Sequence, residues 1–314
     1  MTHKTISIVV PIYNEEEVLD YFFEAIEPIL KSCQENYNVG FKFVFIDDGS
    51  QDRSYEMLKI KKKQDERVQV VKFSRNFGKE LATTAGIDFA DGDAVIFMDV
   101  DLQDNVSSIP EMIQSWKEGY EVVLPIRKDR DDSFFKKLTS YFFYWLINKL
   151  SVIEIPQNAG DFRLIDRKVV EVLKLYKENN RFMRGIFASV GFKIKYIFFE
   201  RPARVAGSTK YNYFKMIAYA LEGITGFSTA LLKIWTYLGT IVAFSSFVYG
   251  IYIIVEALLI RQVPKGYPSM MVVILFLGGI QLISMGVLGE YVARLYLEAK
   301  KRPLYIVSET QGFN

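Results

Sequence analysis

The sequence predicts an α/β protein: a mostly parallel sheet with helices on both faces, followed by interfacial helices and two transmembrane helices. Three observations predict it. Short apolar runs alternate with helical segments through residues 1–100, the pattern of strands joined by crossover helices. The apolar runs end in polar motifs, PIYNEE (11–16), DDGS (47–50), SRNFGKE (74–80) and DVDLQD (99–104). Ligands bind at the carboxyl ends of strands in such sheets. Two long apolar runs then follow, 234–260 with Glu256 as its only charge before Arg261 and 270–289 with none. Each meets the roughly 20 residues that a bilayer crossing requires.

The first strand covers Ile6 to Val10; Pro11 ends its ladder, and Asn14 or a nearby acid caps a helix over 16–30. A strand at 41–46, a helix at 54–63, a strand at 68–73 and a helix through 81–89 come next, then the strand 94–98 that delivers the acidic run. A short strand is expected at 121–126. In 134–150, Phe134, Leu138, Phe142 and Trp145 recur at helical spacing among lysines. That suits a core helix or one lying in a membrane interface. Residues 214–232 form a second such candidate. The expected domains are a cytoplasmic catalytic unit (1–210), a juxtamembrane amphipathic helix (211–232), the two spans (233–298) and a cytoplasmic tail (299–314).

Orientation follows from the basic flanks. Lys210, Lys215 and Lys233 precede the first span; Arg294, Lys300, Lys301 and Arg302 follow the second, against Arg261 and Lys265 between them. The positive-inside rule places both termini in the cytoplasm.

Composition narrows the chemistry. With one cysteine and one histidine, His3, near the N-terminus, a Ser–His–Asp triad, a Cys–His pair, an intramolecular disulfide and a cysteine- or histidine-rich metal site are excluded. A formal net charge of +2, with no concentrated basic stripe, argues against a nucleic-acid partner. Carboxylates, basic side chains and a hard cation remain.

In an extended chain Asp99 and Asp101 point the same way, with Gln103 one step further. Two such carboxylates seat a cation that bridges to substrate phosphates. Paired acids also occur in solvated turns, and an Asp-Gly turn such as DDGS is common on surfaces. The four motifs at one sheet edge favour a nucleotide site. Arg127 follows the short strand and suits a diphosphate contact, whereas Arg130 reads as part of a solvated loop. Asp161 in GDFRL either carries an acid into a covered site, or simply pairs with Arg163 or caps the helix after Asp166. The cluster Arg201, Arg204 and Lys210 around GSTKY contacts anionic lipid or forms a flap over phosphate.

In this order, PIYNEE, DDGS, SRNFGKE, DVDLQD, GDFRL and GSTKY, followed by two spans and a KKRPLY tail, the chain resembles family 2 glycosyltransferases of the GT-A (Rossmann-like) type. Within them it is most similar to the polyprenyl-phosphate (bactoprenol) glycosyltransferases, and more distantly to dolichol-phosphate mannose synthase. The resemblance implies roles residue by residue. Pro11, Tyr13, Glu15 and Asp48 would hold the donor's base and ribose. Asp99, Asp101 and Gln103 would hold Mg²⁺ or Mn²⁺ and the diphosphate. Arg127 and Lys210, with Arg201 and Arg204, would meet donor or acceptor phosphates, and Asp161 matches the proposed catalytic acid position. It also implies a UDP-sugar donor, glucose favoured, a polyprenyl (undecaprenyl) phosphate acceptor, a homo-oligomer, and a place in the bacterial cytoplasmic membrane. None of the three tryptophans follows an arginine, so the Gln-x-x-Arg-Trp motif of processive synthases is absent and a single sugar transfer is expected. The rival readings are nucleotidyl transfer and a catalytically silent scaffold that binds nucleotide or polyprenyl phosphate.

Overall fold

Residues 6–10 have an almost uninterrupted apolar character, as expected of a strand covered on both faces. In the computed structural model they form the centre of β1 (Lys4–Ile12). The structure describes residues 3–127, 160–179, 181–199 and 266–313, with scattered helical positions between 235 and 255. After β1 come α1 (Leu19–Tyr37), β2 (Val39–Asp47), α2 (Ser54–Gln64), β3 (Val68–Phe73), α3 (Lys79–Phe89) and β4 (Ala94–Phe97). Then follow α4 (Ile109–Lys117), β5 (Val122–Arg127), β6 (Arg163–Asp166), α5 (Arg167–Leu173), α6 (Met183–Ser189) and β7 (Ile194–Phe199). A long helix, α7 (Tyr267–Ala299), precedes the strand β8 (Val307–Gln311).

The sheet order is β7-β5-β6-β4-β1-β2-β3-β8. β1 pairs in parallel with β2 and β4, β2 with β3, and β5 with β7. β6 and β8 run against their neighbours. The carboxyl ends of β1, β2, β3, β4 and β5 therefore share one edge, and the antiparallel β6 brings its first residues to that same edge.

Alternation within the strands feeds two cores. Ile6, Ile8, Val10, Phe43, Phe45 and Ile96 pack under α1 and α4; Val9, Val44, Ile46, Val95 and Phe97 pack on the opposite face with α3 and α5. Helix α1 buries Leu19, Phe22, Phe23, Ile26, Leu30 and Cys33, a stripe at helical spacing. The helix was expected to stop at Leu30 but runs to Tyr37, because Cys33 continues the stripe. The stop signal is Asn38, left-handed at φ 48°, whose N–H returns to the Gln34 carbonyl. Phe43 is fully buried and its ring meets those of Phe22, Phe23 and Phe45. Phe43→Ala is expected to cost about 3–5 kcal/mol, read as a lower denaturant midpoint with an unchanged slope.

The C-terminal segment is more than the expected tail. Val307 to Gln311 lies antiparallel to β3 as the last strand of the sheet. Its polar sequence, VSETQ, carries no apolar run to announce a strand, as is usual at a sheet edge. The Tyr305 ring stacks on Phe73 with centroids 4.9 Å apart, and its hydroxyl donates to Asp88 at 2.7 Å. The end of α7 is fastened too: Asn179 donates its backbone N–H to Glu298 Oε1 at 2.6 Å.

Within α7, Phe276 to Ala299 is long and apolar enough to cross a membrane, one such helix among the described residues. It begins and ends later than the expected 270–289. The first apolar run, 234–260, lies largely outside the described residues. So do the candidate interfacial helix 134–150 and the juxtamembrane segment 211–232.

Candidate active site

The edge where the strands end is laced together by its own loops. After β1, Asn14 takes the left-handed conformation (φ 55°), and PIYNEE and DDGS bond to one another. Asn14 N–H donates to Ser50 Oγ at 3.0 Å, Glu15 N–H to Ser54 Oγ at 2.8 Å, and Gln51 N–H to Asn14 Oδ1 at 2.8 Å. Tyr13 stands 43% exposed above them, while Pro11 remains in the ladder opposite Ile46.

Asp48, expected at the donor's base and ribose, is 3% exposed. Its oxygens accept the backbone N–H groups of Phe77 at 2.6 Å and Gly78 at 2.9 Å. Burial pushes its carboxyl up, against those two donors and Arg75. Asp48 thus clamps the SRNFG loop. Gly49 makes this approach feasible: at φ 71° its position would put a Cβ 2.5 Å from the carbonyl carbon of Arg75. Gly49→Ala is expected to lower stability by about 1–3 kcal/mol, from a left-handed backbone and a clash together, visible as a reduced melting temperature.

The clamped loop starts α3 at Lys79, whose ammonium reaches back over the sheet edge. It lies 2.7 Å from Asp99 Oδ2 and 2.8 Å from Asp161 Oδ2. Arg184, at the start of α6, approaches Asp161 Oδ1 from the other side with its Nε at 3.3 Å. Arg163 holds the backbone of the same turn, donating to the carbonyls of Asp161 and Gly160, and lies over the Phe187 ring. Asp161 therefore pairs with Lys79 and Arg184 through its side chain. Burial alone would raise Asp161, but Lys79, Arg184 and Arg163 together hold it well below the usual carboxylate range. Neighbouring Glu80 accepts the Met183 N–H at 3.2 Å; burial and then the Asp161 charge push it up to about 7.

The acidic run does not continue the strand as expected. β4 ends at Phe97, and Leu102 sits at φ 54°, so residues 99–104 form a turn and simple alternation does not orient them. Asp101 accepts both the backbone N–H (3.1 Å) and the side-chain amide (2.7 Å) of Gln103. Asp104 accepts the Asp99 N–H at 3.2 Å. The carboxylates nonetheless crowd: burial and then the charge of Asp99 push Asp104 up to about 6. Glu15 is raised by burial and by Asp101 and Asp99.

This donor set fits a hard divalent cation in kind, since it is acidic oxygens with mutual repulsion to relieve. Among the described residues no three acidic, histidine or cysteine side chains enclose an ion by themselves. The set therefore suits a cation that arrives with phosphate oxygens of its own. Arg127 ends β5 opposite Phe199, at this same edge. Arg201, Arg204 and Lys210 lie outside the described residues. Lys79 and Glu80 both lie in SRNFGKE, a motif that follows a strand end; for Arg184 the sequence carries no local signal.

Residues 7–174 match the model of glycosyl transferase family 2, and residues 232–295 match the GtrB C-terminal hairpin. The chain belongs to glycosyl transferase family 2. It is 46% identical over 307 residues to a prophage bactoprenol glucosyl transferase homolog of Escherichia coli (strain K12), across 98% of this chain and 99% of that one. It is 46% identical over 310 residues to the SfII prophage-derived bactoprenol glucosyl transferase of Shigella flexneri, with 98% and 99% covered. An uncharacterized glycosyltransferase of Synechocystis sp. is 44% identical over 308 residues, with 98% and 96% covered. As a member of this family the chain is a glycosyltransferase, and its sheet is the GT-A type, with the acidic turn of 99–104 at the carboxyl edge.

Proposed function

We propose that this glycosyltransferase moves one sugar, glucose, from a UDP-sugar to polyprenyl (undecaprenyl) phosphate at the cytoplasmic face of a bacterial membrane. The observation that carries the reading is the convergence of Asp99, Lys79, Asp161 and Arg184 in one chain of ion pairs. It joins the edge suited to a nucleotide diphosphate to an acid suited to the acceptor. Near-full-length likeness to bactoprenol glucosyl transferases supports the acceptor and the sugar.

Pro11, Tyr13 and Glu15 line the nucleotide side, and Asp48 fixes the loop behind them. Asp99 and Asp101, with Gln103, would hold Mg²⁺ or Mn²⁺. The chemistry that such an ion supplies is charge compensation at the departing diphosphate. Arg127, with Lys210, Arg201 and Arg204, would bind phosphates of donor and acceptor by charge-assisted hydrogen bonds. An oxygen of the lipid phosphate attacks the anomeric carbon. The bond from that carbon to the diphosphate breaks, its electron pair leaving on UDP, and the configuration inverts.

A strong base is unnecessary. A phosphate monoester is mostly doubly ionised near neutral pH, its second pKa being about 6. Asp161, held ionised by two cations, is a weak proton acceptor and instead orients the acceptor through Lys79 and Arg184. Membrane attachment would come from α7 together with the first apolar run, both termini facing the cytoplasm. A homo-oligomer through the aromatic helices and the spans is part of the same proposal.

The test is transfer from UDP-[¹⁴C]glucose to undecaprenyl phosphate by purified protein with Mg²⁺ or Mn²⁺. Label in the organic phase is expected with UDP-glucose. Label from another UDP-sugar alone would move the donor assignment, and UDP binding with no transfer from any donor would overturn the enzymatic reading.

A further inference from the structure

Lys79 already engages an oxygen of Asp99, the carboxylate that a cation in this site would use. Its ammonium touches one oxygen of Asp99 and one of Asp161, so Asp99 meets a positive charge supplied by the chain itself. Glu15, Asp101 and Asp104 crowd the same side: the charge of Asp101 acts on Glu15, Asp99 and Asp104 alike. Without Lys79, the uncompensated charge of these acids would attract a hydrated divalent ion more strongly with no donor present. The Lys79 side chain is also 46% exposed, and a four-carbon stem lets its ammonium relocate without moving α3.

We infer that Lys79 is a positioning residue that closes the cation seat in the donor-free enzyme and yields it only to a cation arriving with a diphosphate. The inference rests on the cation site proposed above. A nucleoside diphosphate brings negative charge with its cation, so the displaced ammonium gains a new partner while it keeps Asp161. A bare cation offers Lys79 repulsion alone. Binding is then ordered, donor and cation entering together, and Asp161 is left aligned by the same lysine once the seat is filled.

The experiment is a Mn²⁺ titration of the full chain in detergent, followed by the EPR signal of free Mn²⁺, with and without UDP. Wild type is expected to bind Mn²⁺ weakly alone and tightly with UDP. Removing one positive charge within contact distance of the seat is expected to tighten donor-free binding by about tenfold. Lys79→Met and Lys79→Gln should both show this gain, Lys79→Arg should not, and adding Asp99→Asn should abolish it. Equal or weaker donor-free binding in both neutral variants, with UDP-dependent binding intact, would overturn the inference alone. No Mn²⁺ binding by any variant with UDP would overturn the cation site itself, and this inference with it.

Discussion

Asp101→Ala is expected to abolish transfer, at least about 10³-fold below wild type, while leaving the protein as stable as before or slightly more so. The two halves have one cause. Asp101 is exposed, and among the described residues its carboxylate accepts from Gln103, two residues away, so the fold loses little with it. Its charge raises Glu15 and Asp104, so removing it relieves repulsion among the acids. Loss of activity with an unchanged or higher melting temperature would mark a residue kept for function at some expense to stability. Normal turnover would remove Asp101 from the cation site.

Asp161→Asn is the second large effect, and its pH dependence separates two roles. The neighbouring cations keep Asp161 ionised at every pH at which the enzyme would be assayed. A carboxylate with a depressed folded-state pKa stabilises the fold above its unfolded value of about 3.9, and that contribution fades only as pH falls towards the folded pKa. Between pH 6 and 8 Asp161 is therefore already charged and does not titrate. If it positions the acceptor, Asp161→Asn should lower kcat by about tenfold to a hundredfold, evenly across that range. A required general base would cost roughly 10²–10⁴-fold, and the loss would ease as pH rises and the acceptor phosphate ionises unaided. The chain of cations around Asp161 favours the flat profile.

Much of the catalytic unit was legible because buried parallel strands write themselves as apolar runs. β1 to β5 lie within a few residues of their expected places, and their motifs gather at one edge as the sheet rule requires. The later strands were hidden for physical reasons. β6 is four residues long and its sequence, RLID, holds only two apolar residues between charged ones, too short a run to announce a strand. β7 alternates in burial, but its exposed positions carry Tyr196 and Phe198, so the sequence shows no polar–apolar alternation. β8 is polar because it lies at the sheet edge.

Within the site, residue types were readable and partners were not. Asp99 and Asp161 stood out as acids, but their link through Lys79 spans 20 residues in one direction and 82 in the other. Only folding brings those positions together. Asp48 shows the converse: DDGS marked the right loop, yet the aspartate faces inward to hold the loop that presents Lys79. Alternation failed at Asp99 to Gln103 because the chain leaves the sheet at Phe97 and turns, and local strand geometry ends with the strand.

The proposed reaction transfers a sugar, and not a sugar phosphate, to a lipid monophosphate. The most direct test identifies both products from one reaction of purified protein with UDP-glucose and undecaprenyl phosphate: the released nucleotide by chromatography, the lipid by mass spectrometry. The expected pair is UDP and a lipid monophosphate carrying one hexose. UMP with a lipid diphosphate sugar would contradict the account, because the bond broken would then lie within the diphosphate and not at the anomeric carbon.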